Sequence, residues 1–564
     1  MKNRLPFLTL IAVMIASLAA CDSTLNLFGG HSGSTRTRTS SSSSENASES
    51  SSDDISSSSD KSSSDPSVPL PEPGDLTANH ASYTYTDYTE NNLYTLSCTP
   101  SVKEAKILVI PIWFDDSSSY IASSKKESVR QDIEDAYFGT NEETGWRSVK
   151  TYYEEESHGT LTLTGTVSNW YTDKRSSTSF GSPSTGQSNT EALVKTVTDW
   201  YFNNNPSEKR YDYDQDGDGY LDGVMLIYAA PDYGSSNQSE SKAGNLWAYC
   251  YWLQNGDYQS PANPGPNAYF WASFDFMYGR EVYASKTGVS SKQYPGGDTA
   301  HSSLDTHTFI HEMGHMFGLE DYYDYSGNYS PAAGFSMQDH NVGGHDPFSS
   351  FALGWGKAYI PTATTNINLK PFATTGEMIV LTPSWNSDNS PFDEYIIVEY
   401  YTSEGVNYLD SNYEYHKGRG YPTGSKTPGI RVWHVDARLL YTETGAFLAS
   451  NWTTNPSTKE GNVVMMMSNT YNGRGAEGYI TPLGSDYANF NLLQMIRRST
   501  TATHKNNNPM TSDDLFKVGD IFSMSTYSKQ FVYSGKLNTK KDLGFNFEIN
   551  GLTSEYASIT VNKL

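Results

Sequence analysis

Between Thr308 and Asp324 the chain reads Thr-Phe-Ile-His-Glu-Met-Gly-His-Met-Phe-Gly-Leu-Glu-Asp-Tyr-Tyr-Asp. His311 and His315 are four apart, so on a helix both imidazoles lie on one face and Glu312 leans over the same spot. Phe309, Ile310, Met313 and Phe317 recur at three- and four-residue steps, which predicts a buried apolar stripe, with Asp305 or Thr306 capping the start. Gly318 suits a sharp helix end in the left-handed conformation. Chance or a solvated helix face would give the His-Glu-x-x-His core roughly once in 100 such chains, and requiring Gly318 and Asp321 as well makes it rarer. Two imidazoles able to grip one ion beside a carboxylate base point to zinc-assisted hydrolysis.

The source of a third ligand separates the ways such a helix is used. A thermolysin-type arrangement takes it from a glutamate on a second helix some twenty residues on, but after Glu320 the next glutamate is Glu377. The other solution sets the third ligand just past a glycine that turns the chain back to the metal, where the better-known version has a histidine. Asp321 stands at that place, and a carboxylate oxygen is an ordinary zinc ligand. Glu320, His340 and His345 are its local competitors. Gly334-Phe-Ser-Met337-Gln-Asp339 is a plausible methionine turn beneath the metal, with Met337 at its centre, although a Met in a glycine-bounded turn is ordinary packing as often as not.

Separated segments add to this. Lys106-Ile-Leu-Val-Ile-Pro-Ile-Trp-Phe-Asp115, Ser148 to Tyr153, Ser157 to Gly165, the acidic stretch Asp212 to Gly223, Asp346 to Gly356 and Gly429-Ile-Arg-Val-Trp-His-Val-Asp436 accompany the His311 motif. In these the chain resembles the immune inhibitor A-type secreted bacterial zinc metallopeptidases, a metzincin-like family, over roughly residues 100 to 440. The resemblance implies a mixed α/β (α+β) catalytic domain hydrolysing polypeptides with Zn²⁺.

Asp214-Gln-Asp216-Gly-Asp218-Gly-Tyr-Leu-Asp222 places carboxylates at alternating positions around glycines, the first half of an EF-hand-like calcium loop. Carboxylates at that density repel one another unless a hard cation neutralises them, and the alternative is a solvated acidic turn. Val224-Met-Leu-Ile-Tyr228 follows as an apolar strand that bound Ca²⁺ would pin. Met225 stands where the loop's closing glutamate would be.

Lys2 and Arg4 precede an apolar run from Leu5 to Ala20, the layout of a secretory signal and short for a membrane span. Leu18-Ala-Ala-Cys21 resembles a bacterial lipobox, which makes Cys21 the expected lipidation site; an ordinary signal cut at small residues is the alternative. The reading of residues 1–21 is therefore a lipoprotein signal, and of the serine-rich 22–78 a disordered tether with a root-mean-square reach of roughly 40 Å. Localisation follows as the extracellular face, anchored or released, with membrane contact only through the lipid.

The remaining length exceeds one simple core, so two folded units are expected. Residues 79–360 read as the catalytic domain, with helices over Glu127 to Tyr137, Val149 to Glu156 and Glu191 to Phe202. Residues 361–564 read as a β-rich, sandwich-like region, part of which is free to complete the catalytic domain. Its expected strands include Glu394 to Tyr400, Gly461 to Met467, Gln530 to Tyr533 and Ala557 to Val561. A formal charge of −25 argues against nucleic acid and anionic membrane surfaces as partners. Besides Cys21 only Cys98 and Cys250 are present, able to form one disulfide or to stay reduced and buried. A second functional reading makes the chain a surface adhesin or glycan-binding lipoprotein with a vestigial metal site; the intact Glu312 argues against it, since a dead site has no need of a base.

Overall fold

The computed structural model describes residues 74–75 and 98–564, apart from 182–184, 233–245, 254–257, 291–295, 325–328, 386–389, 417–420, 442–462, 466–468 and 470–488. The signal, Cys21 and nearly all of the tether lie outside the described residues.

The first sheet is built on buried runs of branched and aromatic residues. Its order is Leu161–Val167, Lys103–Trp113, Val224–Tyr228, Ala268–Ser273, Tyr249–Trp252, with Tyr171–Thr172 beside the far end of Lys103–Trp113. The first four strands run parallel and Tyr249–Trp252 closes the edge antiparallel. Val224–Tyr228 is buried along its whole length, as a parallel strand covered on both faces must be. Strand alternation divides the core: Ala105, Ile107 and Val109 enter one buried cluster with Tyr153, Phe309 and Met313, while Leu108, Ile110 and Ile112 enter another with Leu193, Val194 and Tyr201. Helices Lys126–Phe138, Val149–Glu156 and His307–Met316 thus cover one face, and Gly186–Asn204 the other.

A second six-stranded sheet follows the order Gly74–Asp75, Lys357–Tyr359, Glu377–Leu381, Glu394–Tyr401, Gly429–Asp436, Leu493–Ile496. A four-stranded sheet comprises Ile521–Phe522, Phe545–Leu552, Ala557–Lys563 and Thr365–Leu369. Ile379, Ile396, Val398 and Val432 share a core with Ile367, Phe547, Ile559 and Val561, so these two sheets pack together. The opposite face of the six-stranded sheet, with Val380, Ile397, Trp433 and Val435, joins the cluster that holds Phe309 and Ile310. One hydrophobic core therefore runs across residue 360.

Several local expectations meet their outcome here. Helices occupy Lys126–Phe138, Val149–Glu156 and Gly186–Asn204, and strands Glu394–Tyr401, Val463–Met465 and Ala557–Lys563. Gln530 to Tyr533 is not a strand: Ser528–Gln530 is a 3-10 turn. The Gln530 amide takes the place of a paired strand, accepting from Arg497 N at 2.7 Å and donating to Arg497 O at 2.8 Å. Gly74–Asp75, inside the span read as tether, pairs antiparallel with Lys357–Ala358. No helix among the described residues is long and apolar enough to cross a membrane.

Candidate metal centre

The His307–Met316 helix buries Phe309, Ile310, Met313 and Met316 against the first sheet. At its start the Asp305 carboxylate accepts His307 N at 3.0 Å, while the Thr306 hydroxyl instead donates to Arg147 O at 2.7 Å. At its end Gly318 adopts φ +96°, and Leu319 N donates to Gly314 O at 3.1 Å, which folds the chain back along the helix. That reversal delivers Asp321 to the histidine face.

The three donors converge. His311 Nε2 and His315 Nε2 lie 3.1 Å apart, and Asp321 Oδ1 lies 3.1 Å from the first and 3.3 Å from the second. Ligands held tetrahedrally at about 2.0–2.1 Å from zinc sit about 3.3 Å from one another, so this triangle has the size of one face of such a site. The other ring nitrogens are committed: His311 Nδ1 donates to Met337 O and His315 Nδ1 to Leu319 O, each at 2.7 Å. With each Nδ1 donating to a carbonyl, Nε2 is the ring nitrogen left to face the centre. Two imidazoles and one carboxylate leave a position open, and the residues present fit a catalytic zinc ion.

Glu320, His340 and His345 do not join this group. Among the described residues the metal-competent cluster here consists of His311, His315 and Asp321. His340 Nδ1 is 2.5 Å from Asp339 Oδ1. His345 is buried among the rings of Tyr152, Tyr153 and Trp355.

Met337 opens a short helical turn, Met337–His340, and is itself buried. Its carbonyl holds His311, and the next carbonyl, Gln338 O, accepts Tyr322 N at 2.8 Å beside Asp321. The Gln338 side chain fills a notch over the helix at Gly314, where a Cβ would stand 2.1 Å from Gln338 Oε1. A side chain at 314 would displace the buried Gln338 amide.

Burial pushes the Glu312 carboxyl up, opposed by His315 and His311. Burial would lower His315, but Asp321 beside it raises it to about 9. Asp321 is likewise penalised by burial, yet His315 and His311 hold it well below the usual carboxylate range. Glu312 is thus a buried carboxyl beside two imidazoles and a carboxylate that compensate one another's charge. Of the tyrosines that follow the helix, Tyr322 and Tyr323 are buried, the first with its hydroxyl 3.0 Å from Ser349 Oγ, and Tyr325 lies outside the described residues.

In the acidic loop Asp214, Asp216 and Asp218 bring carboxylate oxygens within 4.8 Å of one another. Gly217 and Gly219 turn the chain at φ +78° and +92°. Burial, then Asp218, raises Asp216 to about 7, the cost of crowding these groups without a cation. Asp222 is not in that group: it is buried and accepts Lys106 N at 2.6 Å and Gln215 N at 2.8 Å, tying the loop to the first strand. Cys98 and Cys250 are buried and not joined in a disulfide; Cys250 Sγ lies 3.3 Å from Met316 Sδ, under the helix.

Sequence reading did not find the buried cluster at the helix start. His307 Nδ1 is 2.8 Å from Asp305 and its Nε2 is 3.2 Å from Asp410, with Trp146 and Tyr415 stacked on the ring. Asp410 lies 103 positions away, and no local pattern announces it.

Residues 95–344 match the family described as immune inhibitor A peptidase M6, catalytic domain. The pre-pro-metalloprotease PrtV of Vibrio cholerae serotype O1, in strains M66-2 and ATCC 39315 / El Tor Inaba N16961, is 28% identical over 247 residues, covering 38% of this chain and 24% of that protein. The chain thus spans about a quarter of the length of the curated relatives it matches. Both likenesses are to metallopeptidases, and the family match takes in the first sheet, the acidic loop and the donor triangle.

Proposed function

We propose that this protein is a zinc-dependent endopeptidase that cleaves polypeptides outside the cell. The observation that carries the reading is the convergence of His311, His315 and Asp321 on one point, with Glu312 on the same helix. Bound Zn²⁺ supplies a lowered water pKa, toward about 7, and polarisation of the scissile carbonyl. Glu312, raised by burial, accepts the water proton and returns it to the leaving amine. The Met337 and Leu319 carbonyls hold the two imidazoles in the tautomer the site needs.

The lipobox at Cys21 and the serine-rich segment support an anchored or released position on the outer face of a bacterial cell. We read the two packed C-terminal sheets as a sandwich-like region, on the strength of their shared core. Asp214, Asp216 and Asp218 are read as Ca²⁺ ligands, with Asp222 anchoring the loop.

Replacing Glu312 with Gln tests the mechanism. Casein cleavage by the purified protein should fall by at least about 100-fold, the lower end of what a general base contributes. Zinc content should stay at the wild-type level. Wild-type cleavage in the Glu312→Gln protein would refute the assignment.

A further inference from the structure

An open cleft of about 560 Å³ is lined by Trp146, which stacks on His307, and by Arg147, whose carbonyl accepts the Thr306 hydroxyl, and by none of the donor-triangle residues. Its walls come from distant parts of the chain: Trp146 and Arg147, His301, and Glu404, Tyr408 and Tyr413. Tyr408 is 58% exposed and Tyr413 40%, two of the three exposed tyrosines among the described residues. Tyr413 is stacked on the His301 ring with centroids 3.7 Å apart, which leaves its other face toward solvent. We propose that this cleft is an accessory binding site for a neutral oligosaccharide, such as the glycan of a glycoprotein.

Three features select that chemistry. Two solvent-facing tyrosine rings, one of them stacked on His301, offer flat surfaces to the C–H face of a sugar, and an open cleft gives a purely apolar ligand little enclosure. Around the rings stand side chains that hydrogen-bond hydroxyls. Glu404 is exposed and in no ion pair among the described residues, and Arg147 carries spare donors beyond its two bonds to Glu155 and one to Trp146 O. Charge then narrows the class. The chain carries a formal charge of −25, Glu404 lies at the rim and Arg147 is already neutralised by Glu155, so sialylated or sulfated glycans are disfavoured. An extended peptide is a poorer fit, because the flanking backbone is spent within short helical turns: Gly145 N donates to Asn141 O and Tyr413 N to Leu409 O, leaving no sheet edge to extend.

The test is direct binding to the full chain, read by saturation-transfer NMR and independent of peptidase activity. The probes are triacetylchitotriose, maltotriose, galactosyl-β1,3-N-acetylgalactosamine, the sialylated form of the last, and an unglycosylated casein peptide. At least one neutral sugar should bind, its sialylated counterpart more weakly, and Tyr408→Ala or Tyr413→Ala should raise its Kd roughly tenfold. Melting temperature and zinc content of both variants report whether they fold. The proposal fails if no neutral sugar binds, if Kd is unchanged in folded Tyr408→Ala protein, or if the peptide alone binds in a Tyr408-dependent way.

Discussion

His307 begins the helix that carries His311 and His315 and stands four residues before the first of them, so helical spacing alone would give it the same face. Tertiary pairing diverts it. Its ring lies between Trp146 and Tyr415 and its nitrogens meet Asp305 and Asp410. Burial would lower its pKa, but Asp410 and Asp305 raise it to about 10. A folded-state pKa above the unfolded value of about 6.5 contributes stability that is complete below about pH 6.5 and is lost as pH rises through about 10. His307→Gln, which leaves two buried carboxylates without their cation, should cost about 3–5 kcal/mol at pH 6. Urea midpoints of wild type and variant should converge between pH 7 and 10; an equal gap at both ends would mean that His307 carries no proton. The donor triangle was legible because both histidines and Asp321 lie within one local stretch, where spacing and a single glycine turn fix their meeting. Asp410 and Gln338 were not, since only the folded chain brings them beside His307 and Gly314.

At the scale of elements, periodicity found what it could. Val149–Glu156 begins after Ser148, whose hydroxyl accepts Thr151 N, so the start is written in capping chemistry as well as in the apolar pattern. Gln530 to Tyr533 misled because its composition suits a strand while a side-chain amide there replaces backbone pairing. Calcium bound in the acidic loop would couple it to the first sheet. The loop leads directly into Val224–Tyr228, the middle of the first sheet, and Asp222 holds Lys106 N of the neighbouring strand. Calcium at 100 times its Kd would add about 2.7 kcal/mol to folding. Zinc-loaded protein freed of calcium should therefore melt several degrees lower than protein in millimolar calcium, and an Asp216→Asn, Asp218→Asn double variant should lose that difference. Identical melting of wild-type protein with and without calcium would leave the loop a plain acidic turn.

The whole molecule sets the limit on what a catalytic segment can be. The family match ends at residue 344 and composition suggests a boundary near 360, yet the surroundings of the metal site are completed from beyond both. Asn469 Nδ2 donates to Tyr322 O at 2.8 Å, next to Asp321, while its Oδ1 accepts Leu493 N at 2.9 Å. Met510 N donates to Ala333 O at 2.8 Å and Met495 N to Pro331 O at 2.9 Å, holding the approach to Met337. Asp410 binds both His307 and Gly343 N. Arg431, paired with the buried Glu399, lies over the ring of Phe335. Removing these partners would strand buried carbonyls and charges, each costing about 1–3 kcal/mol or more, against a total stability of about 5–15 kcal/mol for a folded domain. A fragment of residues 79–360 should consequently fail to hold stoichiometric zinc and should exchange its His307–Met316 amides rapidly, while a chain of residues 79–564 retains both properties. The milder Asn469→Ala change in the long chain should lower zinc occupancy without abolishing folding, which separates loss of the local brace from loss of the fold. If the short fragment bound one equivalent of zinc and cleaved casein, the metal centre would be self-sufficient and the core that crosses residue 360 would be a contact between two independent units.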